Sequence, residues 1–237
     1  MPGKLYIIPN TISGDGDFSG VPNYIAALIA PLQYFIVEEE KSARRLLKKV
    51  NPQIVFEQCQ FFPLSEHTSA KELQEYLKTV LTEDIGLISE SGCPCVADPG
   101  AEVVLWAHKN NKKVIPLVGP SSIMLALMAS GLNGQNFAFN GYLPKERAER
   151  IKKIKELEMR SAQESQTQIF MEAPYRNQNL FEDVISACQP STLLSISSDL
   201  TGQGEYIETL PISAWKSEAP PLHKKPALFL IQGVQRK

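Results

Sequence analysis

Short apolar runs alternate with segments of helical periodicity through the first half of the chain. Each run ends at a Pro, Gly or Glu residue, a pattern that predicts short buried strands. The predicted strands are residues 5–8, 33–37, 54–62, 86–89 and 113–118. The predicted helices between them are residues 21–32, 42–50, 69–81 and 101–110. This alternation of strands and helices favours an α/β layer with a mainly parallel sheet.

The second half of the chain has a different character. Residues 123–132 are almost continuously apolar, which predicts a helix that is buried on most of its sides. A highly charged helix is predicted at residues 144–159, and another helix at residues 180–188. The later predicted strands are residues 137–143, 168–172, 193–198, 205–210 and 227–232. We therefore predict two α/β domains, residues 1–117 and residues 118–237.

The composition is typical of a soluble globular protein, with 43% hydrophobic and 21% charged residues. The formal net charge is −2, so binding to a polyanion requires a local basic patch. No apolar run reaches the ~18 residues of a transmembrane helix, and the N-terminus lacks the apolar segment of a signal peptide. The four cysteines match neither a metal-ligand spacing nor a disulfide framework. We expect a cytoplasmic protein with reduced thiols, without a metal and without membrane contact.

One pronounced basic stripe, KERAERIKKIK, lies at residues 145–155. On a helix its cations spread over more than one face, and Glu146, Glu149 and Glu156 are spaced to pair with some of them. A solvated helix and a contact with RNA phosphates are equal alternatives for this stripe. No aromatic-rich strand accompanies it, so the sequence does not predict a stacking platform for single-stranded RNA.

The stretch GLISESGCPCVADPG, residues 86–100, joins a predicted strand to a predicted helix through small residues. Loops at the carboxyl ends of parallel strands face the binding crevice of α/β proteins. Small residues let a ligand lie against the backbone, which large side chains would prevent. We interpret the stretch as a candidate ligand loop, and a plain strand-to-helix connection is the alternative.

Five stretches, taken together, resemble the tetrapyrrole-methylase superfamily of S-adenosylmethionine-dependent methyltransferases. Within it, the resemblance is closest to the bacterial enzymes that 2′-O-methylate a cytidine of 16S ribosomal RNA. The stretches occur in the family's order and extend over nearly the whole chain. They are LISESGCPCVADPG at 87–100, PLVGPSSIMLALMASGL at 116–132, FNGYLPKERAER at 139–150, FMEAPYR at 170–176 and KKPALFLIQG at 224–233.

This resemblance implies two α/β domains with S-adenosylmethionine held in the cleft between them, in a homodimer. It also implies a fold without the G-x-G-x-x-G motif, and no predicted strand here is followed by that motif. The cofactor contacts that it implies are Pro9, Glu90, Ser91, Gly92, Cys93, Gly119, Ser121, Ser122, Met171, Leu200, Pro226 and Ala227. Four of these residues have a purely structural alternative. Met171 would fill the core, Ser121 and Ser122 would cap the following helix, and Pro226 would begin the last strand.

The segments that should face the substrate depart from the family pattern. The family's EDTR, HEHN and EAPHR are here EEEK at 38–41, SEHT at 65–68 and EAPYR at 172–176. A ribose hydroxyl is a poor nucleophile at neutral pH, so its methylation benefits from a positioned base. The candidate catalytic residues are Glu39 and His67. Their alternatives are a solvated acidic turn for Glu39 and a surface or capping role for His67.

The sequence therefore predicts a methyltransferase that acts directly, without a metal, on the small ribosomal subunit or its RNA. One alternative is methylation of a tetrapyrrole or another small molecule with the same cofactor. A second alternative, from a different class, is a divergent binding protein that retains the cofactor pocket without turnover. RNA would require a positive rim at the site, whereas a tetrapyrrole would require a broad apolar trough with bases for its carboxylates.

Overall fold

The computed structural model describes residues 3–13, 18–65, 67–215 and 220–234. Its contacts divide the chain into two compact units, with the division between Ser121 and Ser122. Each unit contains a five-stranded sheet. The predicted α/β class with two α/β parts is confirmed.

The first unit is a parallel sheet covered by helices on both faces. Its strands are β1 (Lys4–Ile8), β2 (Tyr34–Val37), β3 (Gln60–Pro63), β4 (Ile85–Ile88) and β5 (Lys113–Pro116). Its helices are α1 (Tyr24–Ile29), α2 (Glu40–Val50), α3 (Ala70–Thr79) and α4 (Ala101–Lys109). The strand order is β3-β2-β4-β1-β5, and every pairing is parallel. The carboxyl ends of all five strands therefore share one edge of the sheet.

Two hydrophobic clusters form the core of this unit, one on each face of the sheet. Side chains of α1 and α2 pack on one face against Ile8, Phe35 and Ile88. Side chains of α3 and α4 pack on the other face against Leu5 and Leu87. Burial on both faces explains why these strands are continuous apolar runs and do not alternate with polar residues.

The predicted strand at residues 54–62 is wrong in extent. A 3₁₀ turn occupies Phe56–Gln58, and the strand is limited to Gln60–Pro63. The aromatic residues in this run pack locally, because the Arg44 guanidinium lies 4.8 Å from the Phe56 ring centroid and 4.4 Å from that of Phe61. An apolar run can thus be buried under α2 without extending the sheet.

The second unit has a mixed sheet. Its strands are β6 (Phe137–Tyr142), β7 (Thr167–Met171), β8 (Leu193–Ser198), β9 (Tyr206–Pro211) and β10 (Ala227–Gln232). Its helices are α5 (Ser122–Ser130), α6 (Arg147–Glu164) and α7 (Asn177–Ala187). The strand order is β6-β7-β10-β8-β9, in which only β6 and β7 are parallel. Side chains of α6 and α7 join Phe170, Ile196 and Phe229 in its main hydrophobic cluster. None of the helices among the described residues is long and apolar enough to span a membrane.

Candidate cofactor site

The loops that follow β1 and β4 are joined by a pair of backbone hydrogen bonds. The Asn10 N–H donates to the Gly92 carbonyl at 2.8 Å, and the Gly92 N–H donates to the Thr11 carbonyl at 3.3 Å. Gly92 has φ +65°, a backbone conformation that residues other than glycine rarely adopt. The tight turn of the loop therefore requires glycine at this position.

The buried side chain of Asn10 strengthens this junction. Its Nδ2 donates to the carbonyls of Ser89 at 3.2 Å and Glu90 at 2.9 Å. Asn10 is only 1% exposed, and its hydrogen bond to the Ser89 carbonyl is buried and therefore shielded from water. Sequence reasoning missed this residue. The signal was an amide side chain directly after a buried strand, at the edge where ligand loops meet.

The loop that follows β5 packs against the same junction. A Cβ on Gly119 would overlap the Pro9 ring, so the two residues are in direct contact. The Cys93 thiol lies 3.3 Å from the Pro120 carbonyl. The structure thus brings together the seven predicted contacts of the first unit: Pro9, Glu90, Ser91, Gly92, Cys93, Gly119 and Ser121.

Acidic side chains surround this junction on the side of β2. The Glu90 N–H donates to a Glu38 carboxylate oxygen at 2.9 Å. Burial, followed by the nearby Glu38 and Glu90 charges, raises the pKa of Asp98 to about 6, although a hydrogen bond with Ser89 opposes the change. Glu38 and Asp98 are further members of the site that the sequence did not single out, since only the fold brings residues 38, 90 and 98 together.

The cysteines of the candidate ligand loop are protonated thiols at neutral pH. Burial and the Asp98 charge raise the pKa of Cys93. Burial, Glu102 and Asp98 raise the pKa of Cys95 to about 11. The thiolate is the nucleophilic form of cysteine, so the raised pKa values do not favour a nucleophilic role for these two residues. The described residues contain no cluster of three or more His, Cys, Asp or Glu side chains that could hold a metal ion.

The two candidate catalytic residues have different surroundings. Glu39 is the N-cap of α2, where its oxygens accept hydrogen bonds from the Lys41 N–H at 2.9 Å and the Ser42 N–H at 2.5 Å. Burial by itself raises the pKa of Glu39, but these hydrogen bonds outweigh it and the net pKa is lowered. His67 is exposed, and its backbone N–H donates to Ser65 Oγ at 3.2 Å. Glu66 of the same segment lies outside the described residues.

The second-unit contacts lie at one edge of the mixed sheet. Met171 ends β7 and pairs with Leu228, while Ala227 begins β10 and pairs with Ser198 at the end of β8. The Asp199 N–H donates to the Pro226 carbonyl at 3.0 Å. The structure therefore brings together Met171, Leu200, Pro226 and Ala227, and Ser122 is the first residue of α5.

Buried polar atoms without partners accompany this edge. Within the described part of the chain, Glu172 Oε2, Asn177 Oδ1 and Ser198 Oγ have no hydrogen-bond partner. Asn177 Nδ2 donates to the carbonyl of Lys225 at 2.8 Å, directly before Pro226. Unpaired buried oxygens are unfavourable, so they favour a ligand or water that carries hydrogen-bond donors. No pattern in the sequence predicted Asn177 or Ser198 as part of this edge.

The basic stripe on α6 is partly structural. Arg150 is 6% exposed, and its guanidinium contacts the buried Asp183 carboxylate at 2.6 Å and the Lys145 carbonyl at 2.7 Å. Arg147 contacts the same carboxylate at 2.8 Å. The stripe contains six Lys and Arg residues, and two of them, Arg147 and Arg150, anchor α6 to α7. The stripe therefore offers fewer positive charges to a polyanion than the sequence indicated.

Comparisons with known proteins extend over almost the whole chain. No protein-family model matches it. It is 28% identical over 235 residues to the ribosomal RNA small subunit methyltransferase I of Vibrio cholerae, across 98% of this chain and 77% of that protein. The structure of the methyltransferase CobJ matches with a TM-score of 0.62 at 14% identity, over 98% of this chain and 94% of CobJ. The uroporphyrin-III-C-methyltransferase of Thermus thermophilus matches with a TM-score of 0.54 at 16% identity, over 97% and 94%.

These similarities confirm the resemblance that the five motifs predict. The curated relative carries the name of a ribosomal RNA methyltransferase, and the two solved structures share the fold. The names of all three matched proteins agree with the prediction that the chain is a methyltransferase.

Proposed function

We propose that this chain is an S-adenosylmethionine-dependent methyltransferase that modifies a ribose 2′-hydroxyl of small-subunit ribosomal RNA. The observation that carries the proposal is the junction of three loops at the carboxyl edge of the first sheet. Asn10, Gly92 and Gly119 hold these loops together, and the loops contain the motifs that resemble the ribosomal RNA enzymes. Similarity along 98% of the chain to a ribosomal RNA methyltransferase supports the same proposal.

The residues at both edges fit S-adenosylmethionine as a ligand. The first-unit loops expose Glu90 and Ser91 beside the backbone of Gly92, where small residues let a ligand lie against the backbone. In the second unit, Asn177 donates to the Lys225 carbonyl and Ser198 pairs with Ala227, so both buried residues support the edge that contains the predicted contacts. We propose the twelve residues predicted from the resemblance as the cofactor contacts.

The cofactor supplies a methyl group on a sulfonium that is already activated for transfer. The chain itself then has to orient the acceptor and receive its proton. Glu39 and His67 remain the candidate bases. The surroundings favour His67, because both Glu39 oxygens already cap α2 and the pKa of Glu39 is lowered.

We also propose that the protein is a homodimer. The resemblance implies one, and α5 leaves Met128 75% exposed on a helix whose other residues are nearly all apolar. Light scattering should then give about twice the chain mass of 26.3 kDa. A monomer at micromolar concentration would contradict this part of the proposal.

The experiment that tests the function uses purified protein, tritiated S-adenosylmethionine and small ribosomal subunits isolated from a strain that lacks the gene. We expect label in 16S RNA, and mass spectrometry of nuclease digests should locate it on a ribose. Gly92→Leu serves as the inactive control, since it should abolish cofactor binding measured by calorimetry. Cofactor binding without methylation of subunits or naked RNA would reject the ribosomal substrate, and no binding at all would reject the methyltransferase.

A further inference from the structure

Tyr175 presents an aromatic ring to solvent on a rigid support. The residue is 74% exposed, and the Arg176 guanidinium lies 5.3 Å from its ring centroid. Arg176 Nη2 contacts Glu172 Oε1 at 2.6 Å, and Glu172 is only 4% exposed. A second hydrogen bond, from the Ala173 N–H at 2.8 Å, fixes this carboxylate. Glu172 thus fixes the Arg176 guanidinium against one face of the Tyr175 ring, and the opposite face of the ring is open to solvent.

A basic turn is joined by a hydrogen bond to the segment that carries this ring. Asn177 Nδ2 donates to the Lys225 carbonyl, which ties the segment after Arg176 to the turn before β10. His223 and Lys224 are exposed, and neither takes part in an ion pair with another described residue. Lys224 has φ +56°, an uncommon conformation for a residue with a long side chain.

The neighbouring Lys225 has a different role. Its Nζ donates to the Gly204 carbonyl at 2.7 Å and lies 3.7 Å from Asp199 Oδ2. Lys225 therefore anchors the turn internally, and Lys224 carries the charge that faces solvent. The result is an exposed ring whose segment is hydrogen-bonded to a turn with an exposed imidazole and an exposed ammonium group, on a protein whose net charge is −2.

These groups match the chemistry of an unpaired nucleotide. A nucleobase stacks on an exposed aromatic ring, and a lysine next to the ring can meet the adjoining phosphate. Both segments also begin or end at the predicted cofactor edge. The Tyr175 turn starts three residues after Met171, and Lys224 precedes Ala227 by three residues. An acceptor strand bound here would be held close to the residues proposed for the cofactor.

We propose that Tyr175 is a stacking platform for an unpaired base of the RNA acceptor, with Lys224 and His223 contacting its phosphates. This inference rests on the proposed function and names the surface that the substrate uses. The ring stands in a turn and not on an aromatic-rich strand, which is why the sequence does not predict a platform here.

The test measures RNA binding separately from methylation. The probes are a fluorescein-labelled single-stranded RNA of roughly 12 nucleotides and the duplex of the same sequence. The variants are Tyr175→Ala, Tyr175→Phe and Lys224→Gln, with Lys109→Gln on α4 as the matched charge control. Calorimetry with S-adenosylhomocysteine and thermal unfolding are run on each protein to show that the cofactor site and the fold are intact.

Tyr175→Ala should weaken single-strand binding by about 5- to 150-fold, the range expected for one stacked base. Tyr175→Phe should retain wild-type affinity, because it keeps the ring. Lys224→Gln should reduce the slope of log affinity against log salt by roughly 0.7, the value for one phosphate contact on a single strand, while Lys109→Gln leaves it unchanged.

Several results would overturn the inference. They are equal binding by Tyr175→Ala and wild type, equal affinity for duplex and single strand, or no RNA binding by the wild type. The same measurements test the proposed function separately from the stacking platform. A wild type that methylates ribosomal subunits while Tyr175→Ala binds and methylates equally well rejects only the platform. A wild type that shows the Tyr175-dependent binding but no methylation rejects only the ribosomal activity.

Discussion

The backbone N–H of Glu90 donates a hydrogen bond to the carboxylate of Glu38 at 2.9 Å. This bond joins the end of β2 to the candidate ligand loop after β4, across 52 positions of sequence. The Glu38 N–H in turn donates to the Ile88 carbonyl at 3.1 Å, so the contact extends the pairing of the two strands. The loop is thereby held from one side by Glu38 and from the other by Asn10.

Removing the Glu38 carboxylate should loosen the ligand loop. We expect Glu38→Ala to bind S-adenosylhomocysteine about tenfold more weakly, near the low end of what a charge-assisted hydrogen bond contributes. Glu38→Gln should bind nearly as well as wild type, because its amide oxygen can still accept from the Glu90 N–H. Calorimetry measures both affinities. Equal affinities for the alanine and glutamine variants would show that the loop does not depend on this bond.

Asp98 should make stability depend on pH below neutrality. Its pKa is 3.8 in a model peptide and about 6 in the folded protein, so between these values the folded state binds more protons than the unfolded state. The free energy of unfolding should therefore fall as the pH rises through this window. The raised pKa corresponds to at most about 3 kcal/mol. Solvent around this partly exposed group reduces the expected change to about 1–2 kcal/mol.

Urea unfolding of wild type and Asp98→Asn, at pH values on both sides of 6, measures this change. The asparagine variant cannot titrate at this position, so its stability relative to wild type should increase as the pH rises to neutrality. Glu38→Gln should move the wild-type transition to lower pH, because the Glu38 charge contributes to the raised pKa of Asp98. A constant difference between wild type and Asp98→Asn at all pH values would contradict the prediction.

Glu39 and His67 should separate into a structural and a catalytic role. Glu39→Gln loses one of the two N–H hydrogen bonds that the carboxylate accepts, so we expect it to lower the free energy of unfolding by about 1 kcal/mol, with little change in the rate of methyl transfer. We expect His67→Ala to lower that rate by ~10²–10⁴-fold, with unchanged cofactor affinity. Single-turnover transfer to ribosomal subunits and thermal unfolding are the measurements. The reverse assignment follows if Glu39→Gln shows the large rate loss.

Gly119 should be intolerant of even one methyl group. A Cβ at this position would overlap Pro9, so Gly119→Ala must displace one of the three loops at the junction. We expect about 1–3 kcal/mol of destabilisation, typical of overpacking, together with loss of cofactor binding. Gly134→Ala is the control, because no atom lies within 4 Å of its added Cβ. Thermal unfolding and calorimetry that show equal behaviour of the two variants would contradict the proposed packing.

Much of the fold could be predicted because a short apolar run bounded by Pro, Gly or Glu is compatible with few structures other than a short buried strand. The strand at residues 193–198 and the strand at 227–232 have the predicted bounds. The run at residues 54–62 was the exception, because local packing of Phe56 on Arg44 buried apolar surface without a sheet neighbour. The periodicity of apolar residues predicts that a residue is buried, but it does not predict which residues pack against it.

The sequence by itself determined where the candidate ligand loop lies, since its run of small residues is a local pattern. The tertiary structure alone decided which polar groups act on that loop. Asn10 reaches the Glu90 carbonyl across 80 positions, and Arg150 reaches Asp183 across 33. Such pairs depend on the order of strands and helices, which hydrophobic burial drives without regard to sequence distance. The same ordering joins the segment after Tyr175 to the turn that contains Lys224, through the hydrogen bond from Asn177 Nδ2 to the Lys225 carbonyl.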